Sequence, residues 1–238
     1  MMTEPVLSLK GVEKRFGSFR ALGPVDLDVG AGERLGIIGP NGSGKTTLIN
    51  CITGVYRPDS GSVFFEGRDI SHLQAHKRAR MGIARSFQIP RPFTGMTVFE
   101  NLLVPLDYCQ VEGSKHDRAR SVLASVGLSG RLSDPSERLT QLELRKLELA
   151  RALVGNPKVL IADEAMAGLS EEEIDEVLKI LFALNRSGVA VIMIEHIMHA
   201  VMRFSERVVC FETGRLIAAG TSSEIAENPL VQKVYFGE

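Results

Sequence analysis

One octapeptide constrains this chain more than any other stretch: Gly39-Pro40-Asn41-Gly42-Ser43-Gly44-Lys45-Thr46, followed by Thr47. The spacing is G-x-x-x-x-G-K-[ST] in full. It stands between an apolar pentapeptide, Arg34 to Ile38, which reads as a strand, and Lys45 to Gly54, which reads as a helix. The glycines let backbone N–H groups turn inward around phosphate oxygens. The helix start adds its partial positive charge. Lys45 is expected to reach the β- and γ-phosphates of a nucleotide, and Thr46 to place its hydroxyl on Mg2+.

Around this motif, strands and helices alternate. Residues 6–9 and 25–29 predict short antiparallel strands, bounded by Gly11, Gly17, Gly23, Pro24 and Gly30. Val63 to Phe65 predicts another, entered through Pro58, Asp59 and Gly61. Residues 72–82 have a basic helical pattern, in which His76 to Arg80 reads as a solvated face. Residues 88–97 hold two prolines and a glycine and read as loop. From Val98 to about Leu153 the signals are mostly helical. Val159 to Ala162 is a buried strand. Ser170 and Glu173 form a capping box that opens a helix running to about Asn185. Val189 to Ile194 is almost continuously apolar, as a strand covered on both faces should be. His196, Met198, His199 and Met202 fall on a predicted helix, with the methionines toward the sheet. Two strands flank Thr213-Gly214, near Arg207–Phe211 and Leu216–Ala219, and a terminal helix follows Thr221. The alternation predicts an α/β fold with a mostly parallel central sheet.

A phosphoryl-transfer site needs an acid at the end of a buried strand, and Val159-Leu160-Ile161-Ala162-Asp163-Glu164 supplies two. Asp163 is expected to hold Mg2+ and Glu164 to polarise an attacking water. The remaining composition narrows the function classes. Across 238 residues the formal net charge is −1, which gives no support to a nucleic-acid partner. Three cysteines, Cys51, Cys109 and Cys210, show no CxxC spacing and read as reduced thiols. The amino-terminal residues lack the pattern of a signal peptide, and no apolar run reaches the roughly 20 residues of a membrane helix. Any work at a membrane is expected to go through partners.

With these residues in view, the chain resembles the ATP-binding cassette family. Phe16 stands where that family carries an aromatic that stacks on adenine. Gln88 matches the glutamine loop, which meets Mg2+ and attacking water and touches the transmembrane partner. Leu139 to Glu143, followed by Arg145 to Leu153, matches the signature segment and its helix. Glu164 matches the catalytic glutamate and His196 the switch histidine. Three further stretches resemble the ATPase subunits of branched-chain amino acid importers. They are Asp163 to Leu169, Ile194 to Met202, and the tail from Asn228-Pro229-Leu230-Val231 to Tyr235-Phe236-Gly237-Glu238.

The resemblance implies a P-loop NTPase core with a mostly parallel sheet, an antiparallel β subdomain and an inserted α-helical subdomain. The expected division is one domain over residues 1–238, with 1–88 and 154–238 as catalytic lobe and about 89–153 as helical lobe. It implies ATP and Mg2+ as ligands, with Thr46, Gln88 and Asp163 on the metal. Phe16, Gly39 to Thr47, Thr140, Leu142 and Glu143 are expected on nucleotide, the last three on that of a facing subunit. Implied partners are a second cassette ATPase, the same chain or a different one, and transmembrane permease subunits that meet Arg91 and Phe93. The implied location is cytoplasmic, peripheral on the inner face of the cell membrane. Two departures stand out. Leu142 replaces a signature glycine, and Ser170 replaces an aspartate common after the catalytic glutamate. Leu142 supports an alternative, a nucleotide-binding regulatory subunit with a weakened ATPase site.

Overall fold

The computed structural model describes residues 4–109, 111 and 113–236. Two sheets organise them. Strands β1 (Leu7–Phe16), β2 (Phe19–Val29), β4 (Ser60–Phe65) and β5 (Arg68–Asp69) form an antiparallel sheet in the order β2-β1-β4-β5. Strands β3 (Arg34–Ile38), β6 (Ile83–Ser86), β7 (Val159–Asp163), β8 (Ala190–Ile194), β9 (Arg207–Glu212) and β10 (Arg215–Gly220) form the second, ordered β10-β9-β3-β8-β7-β6. Every neighbouring pair in it is parallel except β9 with β10.

The central strands are apolar throughout because both faces are covered. In β8, Ala190, Ile192 and Ile194 enter one core while Val191 and Met193 enter the other. The first core is shared with helix α1 (Lys45–Thr53), through Leu48, Ile49 and Ile52, and with Leu7, Leu9 and Val12 of the antiparallel sheet. The second is closed by α6 (Glu171–Arg186) and α7 (Met198–Phe204), and by α3 (Val98–Asp107), α4 (Lys115–Ser125) and α5 (Gln141–Leu153). The last three pack on one another, and α5 also lies against β6. Each fully buried Leu, Ile or Val stabilises by roughly 1.5–3 kcal/mol, so the sheet is the rigid part to which the loops are anchored.

Several elements differ from the sequence reading. β1 and β2 are longer than the patterns at 6–9 and 25–29, because bulges near Val12 and Lys14 let the ladder continue past the glycines. β6 has no counterpart in that reading. Only Ile83 and Ser86 of its four residues are buried, too weak an alternation to stand out between a helix and a loop. The basic helix shortens to α2 (Ala75–Met81), and its Arg78 is not on a solvated face. Arg78 is buried and donates to the carbonyls of Cys51 (2.6 Å) and Ile52 (2.8 Å), meeting orphan acceptors in the last turn of α1. His196 precedes α7, so it shares no helical face with His199; Ala200, Val201 and Phe204 face the core, and Met198 and Met202 are half-buried beside it. The terminal helix is two, α8 (Ser222–Ala226) and α9 (Pro229–Phe236), parted at Asn228-Pro229. Gly237 and Glu238 of the tail lie outside the described residues.

Candidate functional site

The phosphate loop leaves β3 and closes on α1. Its backbone admits no side chain at two points. A Cβ on Gly39 would sit 2.3 Å from the Phe211 carbonyl oxygen, and one on Gly44 2.8 Å from that of Ala21; both residues have positive φ. α1 starts at Gly44 with no side-chain cap and no acid in its first turn, which leaves its positive end for an anion. Lys45 is buried, and its ammonium donates to the carbonyls of Gly39 (2.6 Å) and Pro40 (3.0 Å). Burial holds its pKa below the usual lysine value, while the Glu164 and Asp163 charges pull the other way. The Ser43 hydroxyl is buried in the loop without a hydrogen-bond partner. A loop lined with N–H donors, an ammonium and an unpaired hydroxyl fits polyphosphate.

At the carboxyl end of β7 stand the two acids. Asp163 pairs with Arg85 at 2.6 Å, and Arg85 also donates to Asn50 Oδ1. Glu164 turns the chain with φ 47°, a left-handed conformation costing about 1–3 kcal/mol outside glycine. Its N–H donates to the Ile194 carbonyl at 2.8 Å. One carboxylate oxygen accepts from Gln88 Nε2 at 2.5 Å and the other lies 3.2 Å from His196 Nε2. The strained backbone therefore holds one carboxylate between an amide and an imidazole contributed by separate segments.

Two cavities meet at Thr46. One of about 310 Å³ is bordered by Phe16, Phe19, Asn41 to Thr47, Asp163, Glu164 and His196. The other, about 450 Å³, is bordered by Thr46, Arg85, Gln88, Glu148, Asp163 and Glu164. Among the described residues no group of three His, Cys, Asp or Glu could hold a metal alone. Thr46, Gln88 and Asp163 offer hard oxygen donors, the set that suits Mg2+ when phosphate oxygens complete its shell.

The family model described as ABC transporter matches residues 22–167. The chain belongs to the ABC transporter family. It is 35% identical to the high-affinity branched-chain amino acid transport ATP-binding protein LivG of Escherichia coli, over 100% of both chains. A crystal structure of the ADP conformation of an ATP-binding cassette of an ABC transporter matches with TM-score 0.91 at 32% identity, over 99% of this chain and 100% of that one. A dimeric cassette in a post-hydrolysis state, bound to ADP and Pi, matches with TM-score 0.81 at 25% identity, over 91% of this chain and 98% of the other.

Within this cassette the signature segment stands apart. Thr140, Leu142 and Glu143 border neither cavity of the phosphate site. Thr140 is the amino-terminal cap of α5: its hydroxyl accepts from the Glu143 N–H, and Glu143 Oε2 accepts from the Thr140 N–H at 2.9 Å. Leu142 is half-buried against the core. Phe16 lies at the mouth of the phosphate cavity, 45% exposed, edge-on to Tyr56. Gly39 and Pro40 are not among the residues that line it.

Sequence reading assigned no role to several neighbours. Arg85 holds Asp163. Arg145 donates to the carbonyls of Gln88 and Ala167, tying α5 to the segments on both sides of Glu164. Glu195, 2% exposed, accepts from the Met166 N–H at 2.8 Å; burial, helped by the Glu164 charge, pushes it up to about 7. Glu148 is likewise raised by burial beside Arg151. Arg85, Arg145 and Glu195 meet partners more than twenty positions away, which no local pattern announces, whereas Glu148 pairs with Arg151 within α5.

Proposed function

We propose that this chain is the ATP-hydrolysing subunit of an importer for branched-chain or related amino acids, working with a second cassette and with permease subunits at the cytoplasmic face of the membrane. The observation that carries it is Glu164, held between Gln88 and His196 on the cavity that also contains the phosphate loop. The cargo class rests on the full-length likeness to LivG.

Phe16 stacks on the adenine. The loop amides and Lys45 bind the phosphates, Lys45 exchanging its two carbonyl partners for phosphate oxygens. Thr46, Asp163 and Gln88 would hold Mg2+, which when bound neutralises phosphate charge. Glu164 orients water and accepts its proton, and His196 meets the γ-phosphate. The rate then comes from positioning and fixed electrostatics. Thr140, Leu142 and Glu143 serve the nucleotide of a facing cassette, consistent with their distance from this chain's own cavity. Leu142 is half-buried against the core, the start of α5 keeps its backbone N–H groups whichever way that side chain turns, and the regulatory alternative gains no support.

No described helix is long and apolar enough to cross a membrane, so the pathway for cargo belongs to partners. The permease surface is the loop from Gln88 to Thr97 and the apolar hollow beside it, bordered by Val55, Ala79, Phe87 and Pro105. Phe87 and Ile89 are exposed there, and Phe93 is half-covered by the Arg151 guanidinium 4.7 Å above its ring. The helical lobe, about residues 89–153, moves with that contact against the rest.

Glu164→Gln is expected to lower ATP turnover by at least about 100-fold, the scale of losing a general base, while ATP affinity stays near wild type. Turnover in the variant equal to wild type removes Glu164 from the mechanism.

A further inference from the structure

Gly39 is buried just past β3, and both of its backbone polar groups are engaged. Its carbonyl accepts from Lys45 Nζ at 2.6 Å. Its N–H donates to the phenolic oxygen of Tyr235, also at 2.6 Å, from the other end of the chain. Tyr235 lies in α9, which rests on β10 and α8 and anchors in the core through Val231. Burial pushes the phenol up to about 12, so the hydroxyl is neutral across the physiological range and its oxygen remains an acceptor.

The first bond is one that catalysis must break. Lys45 has to leave the Gly39 carbonyl to reach phosphate oxygens. The Tyr235 bond then still fixes the peptide at the loop's entry. The Phe211 carbonyl, 2.3 Å from where a Cβ would be, requires glycine at this position but bonds to neither of its polar groups. The hydrogen bond to Tyr235 fixes the entry peptide, as the Gly214 N–H donated to the Ser43 carbonyl at 2.9 Å fixes the loop further on.

We propose that Tyr235 is a positioning residue for nucleotide binding: by accepting the Gly39 N–H it keeps the start of the phosphate loop in the form that receives ATP. This rests on the reading of Gly39 to Thr46 as the ATP phosphate site. Without the hydroxyl, the loop must be ordered by the ligand, and affinity falls by the worth of about one hydrogen bond.

The test compares full-length wild type with Tyr235→Phe, Val231→Ala and Lys45→Ala. It measures MgATP dissociation constants, KM and kcat, and the melting temperature without nucleotide. Tyr235→Phe is expected to raise the dissociation constant and KM about five- to tenfold with kcat at saturation nearly unchanged. Val231→Ala loosens α9 but keeps the hydroxyl, and is expected to lower the melting temperature at least as much with KM near wild type. An unchanged KM in Tyr235→Phe overturns the proposal, as does an equal KM increase in Val231→Ala, which makes Tyr235 merely part of the helix packing. If Lys45→Ala binds MgATP as well as wild type, the reading of the loop itself falls and the proposal falls with it.

Discussion

Two helix starts of the chain are built in opposite ways. At Gly44 the helix opens with a glycine, no side-chain cap and no acid in its first turn, and the amides are left for a ligand. At Thr140 the helix opens with a complete capping box, and Glu143, itself anchored by Arg131 at 2.9 Å, takes the Thr140 amide. The first sits on the central sheet with Lys45, Asp163 and Glu164 around it. The second sits at the end of a three-helix packing with none of these. One start leaves its amides open beside its own chain's cavity. The other is capped by its own side chains and, on the proposed reading, offers its dipole, its remaining amides and a hydroxyl to a neighbour.

The comparison breaks most visibly at Lys45. Lys45→Ala is expected to weaken MgATP binding by about 100-fold or more, because two or three charge-assisted hydrogen bonds leave with the ammonium. A loss below tenfold, read by titration calorimetry, makes the loop amides sufficient alone and erases the contrast with Thr140. At the second helix start, Leu142→Gly restores the residue more usual in the family. It removes a half-buried side chain and a good helix former, so a destabilisation of about 1–3 kcal/mol is expected in thermal or urea unfolding. ATP turnover is expected to stay within about twofold after correction for folded fraction, since the side chain is half-buried against the core and the backbone N–H groups are unchanged. A turnover gain of tenfold identifies Leu142 as an obstruction to the facing nucleotide.

The smallest effect separates the two regions by pH. Behind Glu164, Glu195 is pushed up to about 7 by burial, above its unfolded value of 4.5. The folded state then holds the extra proton, so the stability this group contributes is present at low pH and declines as pH rises from about 4.5 through 7. Glu195→Gln keeps an acceptor for the Met166 N–H and has no proton to lose. Its melting temperature is expected to exceed wild type at pH 8, with the gap closing toward pH 5. Glu143 is lowered by the Thr140 amide and by Arg131, so its contribution runs the other way and is lost only as pH falls below the usual carboxylate range. A wild-type advantage at pH 8 shows that ionised Glu195 stabilises the site.

The legible parts of the molecule were those where function and local structure use the same residues. Gly39 to Thr46 must turn and, on the proposed reading, must bind, and both demands fall within eight positions. Asp163 and Glu164 follow an apolar strand because the strand's end is where the loop begins. The cap at Ser170 is as local, and its hydroxyl accepts from the Glu173 N–H as the pattern required. Where the demands separated, sequence reading lost its hold. Arg78 belongs to a basic run but serves carbonyls of α1, and β6 is a strand because β7 lies beside it. His196 belongs to a turn, not to the helix its neighbours suggested.

Sequence alone therefore determined the class of fold, the identity of the phosphate loop and the acids opposite it, since strand–loop–helix succession and glycine backbone freedom are properties of neighbouring residues. Tertiary structure decided which groups surround them. Gln88 and His196 meet on Glu164, Arg85 on Asp163, and Tyr235 on Gly39, each across more than thirty positions. It also decided that Leu142 is half-buried against the core. The physical reason is range. Backbone torsions and periodicity are written within a few residues, whereas the partner of a buried charge or amide is chosen by which segments the two packed cores bring together.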